Sequence, residues 1–225
     1  MFFSSLLDRL TNRKVPRRSR TSDRTRQRRR AAFRSAISRT MHMEPLEPRQ
    51  LLATWDVTTF GDVVDPGDTY LSLREAITAS NANNEDDTIN LPAGTYFMSI
   101  AGTGEDNNAT GDYDILQDLD TGGARTTVTI QKDPNDPSPD PVIINALQKD
   151  RVFDVHAGAQ AVFNNVTITG GSANSPGGGI NAVGATITVE NSTITGNVAN
   201  NPDGNGGGIA LSGQAGSLTV TDSTI

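Results

Sequence analysis

Apolar and polar residues alternate strictly in several short stretches of the second half of this chain, and three of those stretches align. Ala161-Val162-Phe163-Asn164-Asn165-Val166-Thr167-Ile168 is followed 26 residues on by Ile187-Thr188-Val189-Glu190-Asn191-Ser192-Thr193-Ile194, and 31 further on by Leu218-Thr219-Val220-Thr221-Asp222-Ser223-Thr224-Ile225. In each, two apolar residues at alternate positions share one face of a strand. The parity slips by one at Asn165, Asn191 and Asp222, ahead of a Thr-Ile pair. Such a slip would turn the next apolar residues outward unless the chain rounds a corner there. Asn and Asp suit corners because they tolerate left-handed backbone and bond nearby amides. Gly177-Gly178-Gly179-Ile180 recurs 29 residues on as Gly206-Gly207-Gly208-Ile209, each behind a loop rich in Asn, Gly and Pro. Loops of unequal length between fixed strands explain the unequal offsets. Short strands in a repeat of this length, with no helical pattern after Asn84, predict coils stacked in parallel. Parallel strands joined by crossovers wind to the right. The predicted fold is therefore all-β, a right-handed single-stranded parallel β-helix. About five or six coils at ~4.8 Å per stacked strand give a rod roughly 25–30 Å long.

One segment has a different period. Leu73, Ala76 and Ile77 fall at i, i+3 and i+4, the spacing of one helix face. Ser72 followed by Glu75 has the form of a capping box, in which hydroxyl and carboxylate each accept from the other residue's amide. A short helix over 70–80 is predicted, placed to cover the first coil, where unpaired strand amides would invite pairing. Before it, Trp55, Val57 and Phe60 mark an extended stretch, and Asp65-Pro66-Gly67-Asp68 an acidic turn.

Charge divides the chain in two. Residues 1–53 hold 14 of the 19 Lys+Arg and 4 of the 26 Asp+Glu, hence +10; residues 54–225 hold the other 5 and 22, hence −17. All 22 glycines lie in the second part. The first part is predicted to be a mostly disordered arm, since dense like charges such as Arg28-Arg29-Arg30 repel and have little to bury. Its Arg- and Ser-rich, acid-poor composition fits a targeting arm. Binding of nucleic acid or an anionic surface through charge alone, or an inert solubilising tail, are alternatives. The absence of Cys excludes a disulfide scaffold, and no apolar run reaches the ~18 residues of a membrane span.

Two resemblances sit on this division. Leu46-Glu47-Pro48-Arg49-Gln50-Leu51-Leu52-Ala53 resembles the LEPR-XLL signature of bacterial surface proteins, with Leu46, Glu47, Pro48, Arg49, Leu51 and Leu52 at its defining positions. The resemblance implies a sorting or export role, with export machinery as partner. Ser72-Leu73-Arg74-Glu75-Ala76 resembles the CSLREA signature, with Leu71 where that signature has Cys. Residues 87–96, Asn108-Ala109-Thr110-Gly111-Asp112 and Asp150-Arg151-Val152-Phe153-Asp154-Val155 are similar to segments downstream of that signature in its family. This second likeness spans residues 70–225. It implies a bacterial extracellular or cell-surface module built on a right-handed parallel β-helix, whose partner would be a surface or polysaccharide ligand.

Candidate chemistry is sparse. Right-handed β-helices include pectate lyases and glycoside hydrolases. A lyase needs a basic residue to take the sugar proton, and a hydrolase needs two facing carboxylates. After Ala53 the only fixed cations are Arg74, Arg125, Lys132, Lys149 and Arg151, and neither Arg74 nor Arg151 shows a paired acid cluster at the matching position of an adjacent coil. No catalytic residues are assigned, and the expected role is structural or adhesive. Glu105-Asp106-Asn107-Asn108, Asp112-Tyr113-Asp114 and Asp118-Leu119-Asp120 offer oxygen ligands for Ca²⁺ but lack EF-hand spacing, so they read as solvated acidic loops and no cofactor is assigned. His42 and His156 stand alone in the sequence. Asn108, Asn165 and Asn191 open glycosylation triplets, and the corners already account for the last two. No capping helix, proline or charge cluster follows the last strand, so the chain is expected to be a truncated relative of longer surface proteins or to have its final coil covered by a partner, and in isolation to self-associate through that end.

Overall fold

The computed structural model describes residues 52–225, apart from 84, 118–125 and 203–204. They fall in one compact unit, Arg49–Ile225. The chain runs β1 (Ala53–Asp56), helix α1 (Leu73–Asn81), β2 (Asp87–Leu91), β3 (Gly94–Phe97), β4 (Tyr113–Ile115), β5 (Thr127–Lys132) and β6 (Val142–Asn145). It continues through β7 (Phe153–Val155), β8 (Gln160–Asn164), β9 (Val166–Thr169), β10 (Ser172–Ala173), β11 (Ile180–Val183) and β12 (Thr186–Glu190). It ends with β13 (Thr193–Thr195), β14 (Val198–Ala199), β15 (Ile209–Ser212) and β16 (Ser217–Thr221).

These strands form parallel sheets in cyclic order. The first sheet is β1-β2-β5-β8-β12-β16, the second β3-β6-β9-β13 and the third β4-β7-β11-β15; β10 and β14 pair beside them. From β2 the chain visits the first, second and third sheets in turn and then returns to the first, as a parallel β-helix does.

Register places like on like. Val189 pairs with Phe163, Ile187 with Ala161, and Ile194 with Ile168. The column extends through Ile130 to Ile89, and each of these side chains is buried. Tyr113, Phe153 and Ile180 form the equivalent column of the third sheet. The Phe153 ring lies 4.8 Å from Phe163 and 5.5 Å from Tyr113, so aromatic contacts join the first and third sheets across the interior.

Asn165, Asn191 and Asp222 have φ of 56°, 49° and 48°. The left-handed residue turns the chain between the first and second sheets and lets the next apolar residue face inward again. Ser192, just past its corner, is buried and donates to the Glu190 carbonyl at 2.6 Å while accepting from the Val166 amide. The triple glycines stack: the Gly179 amide donates to the Gly207 carbonyl and the Ile180 amide to the Gly208 carbonyl. A Cβ on Gly178 would collide with the Val198 backbone, which is why no side chain fits there.

Helix α1 begins at Leu73 rather than at residue 70. Ser72 is its N-cap, in extended backbone at φ −81° and ψ 164°, and Tyr70 is largely exposed. Ser72 Oγ accepts from the Glu75 amide and Glu75 Oε2 from the Ser72 amide. Glu75 also accepts from the Asp65 amide at 2.8 Å, which ties the preceding acidic turn to the helix. At the other end, Leu218 and Val220 of β16 continue the inward columns but remain about 40% exposed, at 39% and 42%.

Candidate functional site

The sequence-predicted positions lie apart from one another in role. Leu46, Glu47, Pro48, Arg49 and Leu51 are outside the described residues, as are Asp118, Asp120, Arg125 and His42, and Leu52 is exposed. Ser72 and Glu75 cap the helix, and Asn165, Asn191 and Asp222 form the corner. None of these gathers reactive groups. The groups that do gather come from the loop before β4 and from the stretch leading into β7.

Alternation in β4 and β7 puts Tyr113 and Ile115, and Phe153 and Val155, into the core. Asp114 and Asp154 lie between them, directly paired across the two strands. Asn181 of β11 extends the row and donates to Asp154 at 3.0 Å. Asp112 stands just before β4, and Asp150 and Arg151 just before β7. The Arg151 guanidinium reaches Asp112 (3.0 Å), Asp154 (3.1 Å) and the Ser175 hydroxyl (2.7 Å). Its Nε is close to Asp112 without being aligned to donate, so that contact is an ion pair rather than a hydrogen bond. Asp114 accepts from the Asn108 amide at 2.8 Å, and its other oxygen lies 3.1 Å from His156 Nε2.

Three expectations are corrected here. Asp112 and Asp114 are buried rather than solvated, because the Asn108 loop and His156 close over Asp114 and Arg151 packs against Asp112. Arg151 does have paired acids, Asp112 from the neighbouring coil and Asp154 from the strand that Arg151 itself leads into. His156 is not alone, since Asp114 comes to it from 42 residues away. A local signal existed in the two runs Tyr-Asp-Ile and Phe-Asp-Val, each an acid between core residues. The partnership between them did not show, because it depends on which strand stacks on which.

Burial, and then the charges of Asp150 and Asp114, push the Asp112 carboxyl up to about 8 against the opposing pull of Arg151. Burial likewise raises Asp150, with the Arg151 amide and guanidinium opposing. The hydrogen bond to Asp114 raises His156. The cluster thus carries surplus negative charge in a poorly hydrated place, which a proton or a cation relieves. Beside it a groove of about 670 Å³ is lined by Arg151, Asp154, Ser175, Asn181, Asn205 and Leu211, among others.

Arg74 is a different case. Fully buried, it makes a two-pronged contact with Asp62 at 2.7 and 3.2 Å, donates to the carbonyls of Asn108, Gly111 and Asp112, and lies 4.7 Å from the Tyr113 ring centroid. Asp62 also accepts from the Ser99 and Ile100 amides. This network fastens the helix to the loop before β4 and is structural. No helix among the described residues is long and apolar enough to cross a membrane. No protein-family model, curated protein or solved structure matches the chain.

Proposed function

We propose that this chain is a secreted or cell-surface module with a structural or adhesive role, built on a right-handed parallel β-helix of about five or six coils and delivered by its basic arm. The supporting observation is the first sheet, which runs without a break from β1 to β16 and pairs every strand in parallel. Its inward columns are filled by core side chains, and its central outward row is mostly threonine, Thr88, Thr129, Thr188 and Thr219, with Val162 among them. Such a surface is an extended, regular platform, suited to holding or contacting other material. The LEPR-XLL and CSLREA resemblances supply the location. Fractionation of cells expressing the full chain tests it. Protein should appear at the surface or in the medium, and deletion of residues 46–53 should retain it inside. Retention of both forms in the cytosol would overturn the reading.

A second reading, a polysaccharide-acting enzyme or its remnant, draws on the groove beside Arg151 and Asp154. Against it, Arg151 is already engaged by Asp112, Asp154 and the Ser175 hydroxyl rather than free to take a sugar proton. Unsaturated-product absorbance on acidic polysaccharides decides between the two.

A further inference from the structure

Asp114 and Asp154 stand side by side on neighbouring strands of a parallel pair. Like charges so placed destabilise a sheet, yet β4 and β7 pair over their whole length. Asp112 adds a third carboxylate: one oxygen from each of Asp112, Asp114 and Asp154 lies within 4.8 Å of the others. A separate feature points to the same place. Asp150 is 6% exposed, and its Oδ2 has no hydrogen-bond partner among the described residues. That oxygen is turned toward the bend carrying Asp112, since a Cβ on Gly111 would lie 2.9 Å from it. Leaving a buried carboxylate oxygen unpartnered is costly unless positive charge reaches it. Against four carboxylates stand the Arg151 guanidinium and the His156 imidazole, and His156 touches only Asp114 among them.

The geometry points to a divalent-cation site where β4 and β7 meet, with oxygens from Asp112, Asp114 and Asp154 as ligands and Ca²⁺ as the fitting ion. Ca²⁺ binds oxygen at about 2.3–2.6 Å, so two ligands across one ion stand at most ~4.6–5.2 Å apart. The three oxygens meet that limit. A ligand set made of carboxylates selects a hard ion over a softer transition metal. Ca²⁺ also accepts irregular geometry completed by water, whereas Mg²⁺ demands a near-ideal octahedron. Arg151 is the competing cation. It bridges Asp112 and Asp154 when no metal is bound and yields toward Ser175, which it already contacts. Asp150 adds negative charge beside the bend that carries Asp112. This role is independent of where the protein resides.

The full chain, stripped with a chelator and dialysed, is titrated with CaCl₂ by calorimetry, and its thermal unfolding is followed with and without the ion. Saturable binding at or below ~1 mM and a higher unfolding midpoint are expected. Asp112→Asn and Asp154→Asn should each weaken binding by at least ~10-fold, because ligand charge sets Ca²⁺ affinity. Without Ca²⁺, Asp112→Asn should unfold at or above the parent's temperature, since an amide has no ionised form for burial to disfavour, so its loss of binding reports on the site rather than on folding. A folded parent with no saturable heat up to ~10 mM Ca²⁺ overturns the proposal. So does unchanged affinity in both variants. Binding of Zn²⁺ but not Ca²⁺, abolished by His156→Ala, would place the ion at Asp106, Asp114 and His156 and overturn it as well.

Discussion

Two arginines meet carboxylates in this molecule, and they meet them differently. Arg74 has no exposure, a two-pronged partner in Asp62, and three backbone carbonyls for its remaining donors. Arg151 is partly exposed and divides itself among Asp112, Asp154 and Ser175, with Nε unaligned and Asp150 Oδ2 nearby left without a donor. Around Arg74 charge and hydrogen bonds balance, so the site is closed and serves the fold. Around Arg151 acids outnumber bases, so the site is open to a further cation or proton. A salt bridge by itself therefore says little about role. What distinguishes the two is whether every buried donor and acceptor is matched.

The sharpest way to break this contrast is to remove Arg74. Arg74→Ala leaves Asp62 buried without its countercharge and three carbonyls without donors. It should cost ~3–5 kcal/mol, read as a shift of the denaturant midpoint. A loss under ~1 kcal/mol would mean that this pocket is no tighter than the other.

The second test is pH. In the folded chain Asp112 keeps its proton up to about 8, whereas in the unfolded chain it ionises in the ordinary carboxylate range. Between those limits the folded state binds more protons, so stability of the chelator-treated protein should fall as pH rises toward 8 and level off above. Asp150 and His156, both shifted upward, act in the same direction. Asp112→Asn should flatten the slope over this window. Equal slopes in parent and variant would mean that Asp112 does not hold the proton.

The smallest effect is expected at Asp154. Its ion pair with Arg151 is 3.1 Å long, but the side chains retain 15% and 17% exposure, and Asn181 already bonds the other oxygen. Asp154→Asn in the absence of Ca²⁺ should change stability by less than ~1 kcal/mol in the same denaturant titration. A loss as large as that of Arg74→Ala would erase the distinction.

Much of the architecture was legible because it rests on local rules. Alternation over five residues is enough to decide that Ile187 and Val189 face the core while Thr188 does not. The Asn or Asp after each strand is enough to mark a left-handed corner. Ser72 and Glu75 are three residues apart, within reach of one turn of helix. The offsets of 26 and 31 placed the three repeats one above another, in the register found for β8, β12 and β16.

The earlier part of the body carries no such repeat, and there local pattern identifies single elements but not their partners. Asp62 reaches Arg74 across 12 residues, Asn108 reaches it across 34, and Tyr113 pairs with Phe153 across 40. Those partnerships depend on how the intervening loops fold and on which strand lies on which. The sequence by itself thus determined the strand faces, the corners and the helix cap, because each follows from side-chain periodicity and backbone preference within a few residues. Only the tertiary structure decided that Asp112, Asp114, Asp150, Arg151, Asp154 and His156 share one place. Stacking sets residues side by side at the ~4.8 Å strand spacing whatever their separation along the chain.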